Sequence, residues 1–139
     1  MRHAIGLLAA AGALALAGCG HLELSPEGDP LRVLTGRVEL GASEALPADA
    51  VITVRVVDAS NPGMPPEVLG FQTIKNPGVA PVGFRVEYRA EDEVLRKGLN
   101  VEARVSIGGK VRYYNLKSYA VTLGNASDPH RIYVNPVGP

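Results

Sequence analysis

The sequence holds one cysteine, Cys19, so an intrachain disulfide is impossible. Exported domains often staple themselves where oxidation permits, and this chain must rely on its hydrophobic core instead. Histidine is nearly as scarce: beyond His3 there are only His21 and His130, with no paired spacing suited to a metal. Glu91, Asp92 and Glu93 run together without the alternate spacing and glycine of a calcium loop. No G-x-S-x-G elbow exposes a serine, and no glycine-rich loop is built to cradle phosphate. A Ser-His-Asp arrangement would have to draw on His130, with Ser118 or Ser127 and Asp128, and a solvent-facing loop histidine is the simpler reading. The residues therefore predict no catalytic set, no metal and no cofactor, and the chain is not expected to be an enzyme. Charge of one sign is missing too. Basic and acidic residues number 14 each, no like-charge block occurs, and nothing favours nucleic acid as a partner. There is no internal repeat, and no stretch keeps helical periodicity over three turns.

What is present begins at the N-terminus. After Met1-Arg2-His3, the run Ala4 to Ala17 has no polar side chain. A basic start and a short apolar stretch have the layout of a secretory signal, and the run falls short of the ~20 residues a membrane span needs. Leu16-Ala17-Gly18-Cys19 resembles the lipobox of bacterial lipoproteins, which implies cleavage before Cys19 and acylation of that residue. Two or more acyl chains anchor stably, at about 0.8 kcal/mol for each buried methylene, so the membrane is an expected partner through the N-terminal lipid. Gly20, standing where aspartate tends to retain lipoproteins at the inner membrane, favours the periplasmic face of the outer membrane. The expected division is a signal peptide over 1–18, a lipidated cysteine and short tether over 19–30, and one folded domain over 31–139. Ser25, Pro26, Gly28 and Pro30 give the tether its character.

From Leu31 onward the dominant pattern has a period of two. Ile52, Val54 and Val56 alternate with Thr53 and Arg55; Phe84, Val86 and Tyr88 alternate with Arg85 and Glu87; Val101, Ala103 and Val105 alternate with Glu102 and Arg104. Successive strand side chains face opposite ways, so each segment has one buried and one wet face. Gly108-Gly109 between Ile107 and Lys110 is a two-residue hairpin signal, and Asn61-Pro62-Gly63 and Asn76-Pro77-Gly78 mark loops. Strands are expected near 32–40, 51–58, 67–75, 82–88, 99–107, 110–116, 119–123 and 131–135. The mixed-sign cluster Arg89 to Lys97 reads as a solvated loop or a short helical turn. The expected fold is all-β: a single antiparallel β-sandwich of seven or eight strands, or failing that a small barrel.

Leu46-Pro47-Ala48-Asp49-Ala50-Val51-Ile52-Thr53-Val54 runs on to Val57-Asp58-Ala59-Ser60, followed by Ala103-Arg104-Val105, Gly109-Lys110 and Tyr119-Ala120-Val121. In order and spacing this resembles the YbaY/YscW-like family of bacterial lipoproteins, over roughly Thr35 to Val137. The resemblance implies a β-sandwich lipoprotein. Some members act as pilotins for type III secretion, binding a secretin subunit and carrying it to the outer membrane by their own lipid. Others have no settled role. Asp49, Asp58 and Ser60 also have a purely structural reading, as side chains that bond backbone amides where a strand starts or ends.

The side chains most suited to a partner are Tyr113, Tyr114 and Tyr119. Adjacent tyrosines on one strand face opposite ways, so one of Tyr113 and Tyr114 is expected to be exposed, and exposed tyrosine often anchors interfaces. Arg104 and Arg112 are expected to share its sheet face. The expected function is a noncatalytic binding module or chaperone for an envelope or secretion-system protein, which docks its client by adding a strand to a free sheet edge. The alternative is an envelope maintenance lipoprotein that binds glycan or lipid.

Overall fold

The computed structural model describes residues 29–41 and 45–137. The expected signal peptide, Cys19 and the tether as far as residue 28 lie outside the described residues. Those described form β1 (Leu31–Glu39), β2 (Ala50–Asp58), β3 (Glu67–Lys75), β4 (Val82–Arg89), α1 (Asp92–Lys97), β5 (Leu99–Ile107), β6 (Lys110–Tyr114), β7 (Ala120–Val121), β8 (His130–Tyr133) and β9 (Asn135–Pro136). Two sheets face each other. The smaller has the order β4-β1-β8, and the larger has the order β3-β2-β5-β6-β9 with β7 paired to β5 beyond the end of β6. The all-β sandwich expected from the alternation is the fold observed. One pairing departs from an antiparallel arrangement: β8 runs parallel to β1, with Gly36 opposite His130 and Glu39 opposite Tyr133.

The alternation sets the two layers. Ile52, Val54 and Val56 of β2 and Val101, Ala103 and Val105 of β5 face inward, against Leu34 and Val38 of β1, Phe84, Val86 and Tyr88 of β4 and Ile132 of β8. Burying a Val, Leu, Ile or Phe side chain contributes about 1.5–3 kcal/mol, so the two wholly buried rows of β2 and β5 dominate the stability of the larger sheet. β3 contributes less, because none of its side chains is fully buried. Gly108 and Gly109 take positive φ at the β5–β6 hairpin, as the paired glycines predicted. The mixed-sign cluster forms α1, with Asp92 and Glu93 in its first turn and Arg96 and Lys97 in its last. That order complements the helix dipole. Gly98 ends the helix at φ 92, and Leu95 is the residue it buries.

The lateral seams of the sandwich are closed by side chains. Where β3 crosses β4, Gly70 leaves room that a Cβ would take 2.2 Å from the Glu87 carbonyl oxygen. Next to it the Arg85 amide of β4 donates to Gln72 Oε1 at 2.7 Å. Across the molecule the Tyr133 amide of β8 donates to the Tyr119 hydroxyl at 3.0 Å. The strand expected over 110–116 stops at Tyr114 because Asn115, nearly buried, turns its side chain onto β5. The Ala103 amide donates to Asn115 Oδ1 at 2.8 Å, and Asn115 Nδ2 donates to the carbonyls of Val101 and Lys117. The side chain thus carries β5's edge across the gap between β6 and β7.

Candidate functional site

The outer face of the larger sheet is not an ordinary wet face. Along β2 and β5 the outward residues Val51, Thr53, Arg55, Asn100, Glu102, Arg104 and Ser106 are half-buried, lying down on one another. The register joins them into rows. Phe71 of β3 stands opposite Arg55, which stands opposite Glu102. The next row runs Thr73, Thr53, Arg104, Tyr114. At about 4.8 Å between strands, Phe71 and Tyr114 sit roughly 15 Å apart across the face. Phe71 is 64% exposed, Tyr114 37% and the neighbouring Leu116 74%. Two aromatic rings and a leucine therefore bracket a polar centre.

That centre is uneven in charge. The Arg55 guanidinium donates to Glu102 Oε1 from both Nε, at 3.1 Å, and Nη2. Arg104 forms no ion pair among the described residues, so its positive charge is not offset there. A small depression lies beside it, lined by Asn100, Glu102, Tyr114 and Leu116.

The four partner-binding candidates separate in space. Arg104 and Tyr114 are directly opposite on the outer face. Tyr113 pairs with Val105 and packs, half-buried, against the core. Arg112 is displaced by a bulge: Val105 opposes Tyr113 and Ser106 opposes Val111, so Arg112 is the extra residue between them. It lines a different depression with Tyr113, Ile107 and Val137. Phe71, Leu116 and Arg55 belong to the outer face and went unread in the sequence. The signal for Phe71 was ambiguous because β3 carries its own irregularity, where Val56 opposes Gly70 and Val57 opposes Val68.

His130 does not meet the serines with which a triad would be built. Its Nδ1 lies 2.8 Å from the main-chain oxygen of Asp128, and the ring lines a depression on the smaller sheet, while Ser118 lines the one beside Tyr114. Asp58 takes the structural role read for it: the Ser60 amide donates to its Oδ1 at 2.9 Å, and hydrogen bonds from Ser60 hold the carboxyl below its usual pKa. Among the described residues no three His, Cys, Asp or Glu side chains group as metal ligands, and no helix is long and apolar enough to cross a membrane.

Fold and site together describe a two-layer β-sandwich with closed seams and one aromatic, partly basic face. Residues 29–134 match the YscW family, the type III secretion system lipoprotein chaperones, and the chain belongs to that family. It is also similar in structure to an alternative pilotin from the type II secretion system of Vibrio cholerae. The TM-score is 0.67 and the identity 26%, over 79% of this chain and 100% of that one. No curated protein matches the sequence.

Proposed function

We propose that this protein is a noncatalytic, pilotin-like chaperone, held by the lipid on Cys19 at the periplasmic face of the outer membrane. There it binds a secretion-system subunit on the outer face of the larger sheet. The observation that carries this reading is the family match over the described domain, supported by the likeness to a pilotin. The two comparisons concern different secretion systems, one through a lipoprotein chaperone and the other through a pilotin, and service to a secretion system is what they share. The closed seams favour docking on a face over addition of a strand to an edge. Arg104 and Tyr114, with Phe71 and Leu116, have the composition of an interface centre, where a few aromatic and arginine side chains carry most of the energy.

Deletion of the gene, followed by membrane fractionation, tests the escort role. The expected outcome is a secretin that leaves the outer-membrane fraction. Cys19→Ser is expected to reproduce that loss while the protein itself is still made. A secretin that stays in the outer membrane in both strains contradicts the reading. Retention of the purified protein on cell-wall or lipid material would then favour an envelope maintenance role.

A further inference from the structure

A depression of about 670 Å³ lies on the outer side of the smaller sheet, away from the Arg104–Tyr114 face. Its lining includes Arg37, Arg85 and Arg131 and no acidic residue. The register explains the convergence. Arg37 on β1 is flanked by Gly83 on β4 and Arg131 on β8, and Thr35, one step along the same face, is flanked by Arg85.

Two further features separate this depression from a chance gathering of surface arginines. The first is Gly83. A Cβ there would meet only the Gly36 carbonyl oxygen, at 3.9 Å, and its φ is not positive. Neither space nor backbone requires glycine. A glycine inside a strand costs about 0.5–1 kcal/mol against alanine, and it marks places where another molecule approaches closely. Gly36 is the contrast: a Cβ there would lie 2.0 Å from the His130 carbonyl oxygen, so packing alone demands it. Gly83 instead leaves the depression open beside the arginines.

The second feature is how the charges are paired. Arg85 is held by Glu87 at 2.6 Å and Arg131 by Glu39 at 2.7 Å. The Arg131 hydrogen bond is the main reason the Glu39 carboxyl is held below its usual pKa. Among the described residues Arg37 has no ion pair within 4.0 Å, and Glu39 feels its charge only at longer range. One whole positive charge is left, backed by two partly neutralised ones. That sum suits a single carboxylate, which a guanidinium grips through two parallel hydrogen bonds, better than a doubly charged phosphate. Exposed apolar side chains on β1, in line with the depression and bordered by Glu87 and Arg89 of β4, point to a peptide. Val33 and Leu31 continue the same face of β1, are both exposed, and follow Thr35 at strand steps of about 7 Å per two residues.

We infer that this depression is a carboxylate-binding subsite, which holds an acidic side chain of an extended peptide segment whose neighbouring apolar residue rests on Val33 and Leu31. It lies on the other sheet from the Tyr114 face and stands or falls separately from the escort role.

The test uses the purified full chain in a zwitterionic detergent and a fluorescein-labelled, amidated peptide of alternating glutamate and valine, read by anisotropy. Binding is expected to weaken about tenfold when glutamine replaces glutamate in the peptide, and by about five- to tenfold in Arg37→Gln. Gly83→Val, which fills the depression, is expected to match Arg37→Gln, while Arg112→Gln, on the larger sheet, stays within about twofold of the unmodified protein. Arg37→Gln and Gly83→Val both indistinguishable from the unmodified protein would overturn the subsite. So would failure of the peptide to bind together with Arg37-dependent retention on phosphatidylglycerol vesicles, which would assign the depression to a lipid surface.

Discussion

Tyr88 is sunk almost completely into the core, yet its hydroxyl has no hydrogen-bond partner among the described residues, and burial pushes its pKa up. An unpaired buried hydroxyl costs about 1–3 kcal/mol, whereas the ring contributes its full apolar burial. Tyr88→Phe is therefore expected to leave stability unchanged or raise it by about 1 kcal/mol, read from the urea midpoint at constant slope. A clear fall in the midpoint would show that the hydroxyl has a partner worth keeping. Single residues were also where the sequence was least legible. The opposite facing of Tyr113 and Tyr114 followed from strand geometry, and Tyr114 is the exposed member. Arg112 was misplaced relative to Arg104 because a bulge inserts one residue and shifts the alternation, and nothing in Lys110 to Tyr114 announces it.

The strands themselves were largely legible, because period two survives wherever one face is buried. The expectations over 51–58, 67–75, 82–88 and 99–107 agree with β2, β3, β4 and β5 to within a residue at each end. The C-terminal third was harder. There the strands shorten to β7, β8 and β9, and a side chain replaces the ladder at Asn115. A polar residue standing in for a strand has no periodic signature, and neither does the parallel pairing of β8 with β1, which depends on contacts distant in sequence. Asn115 yields the prediction at this scale. Asn115→Ala strips partners from the Ala103 amide and the Val101 carbonyl on the edge of β5. At about 1–3 kcal/mol for each of the two groups left unsatisfied, the expected loss is about 2–6 kcal/mol. Hydrogen exchange at the Ala103 amide is expected to quicken more than at the centre of β2. Equal protection in the variant would mean that β6 and β7 hold the edge without it.

At the scale of the whole molecule, the two sheets present different surfaces to a partner. The larger sheet offers spread aromatic contact around Arg104, and the smaller offers a focused positive depression around Arg37. One side-chain hydrogen bond crosses each seam, at the Arg85 amide of β4 and the Tyr133 amide of β8, and recognition by side chains on the faces leaves both in place. The family resemblance was visible in the Leu46-to-Ser60 run and in the later Ala103, Gly109 and Tyr119 segments, whereas the depression was not, since Arg37, Arg85 and Arg131 come together only through the β4-β1-β8 order. The most direct test of client docking is site-specific photocrosslinking in living cells. The crosslinker stands at Tyr114, with a second placement at exposed Met64, on the loop before β3, as the control. The account predicts that position 114 captures a secretin or another secretion-system subunit, that Arg104→Glu abolishes the capture, and that position 64 captures neither. Capture at 64 but not at 114, or none at 114 while the client still depends on this lipoprotein for its location, would contradict docking on the Arg104–Tyr114 face.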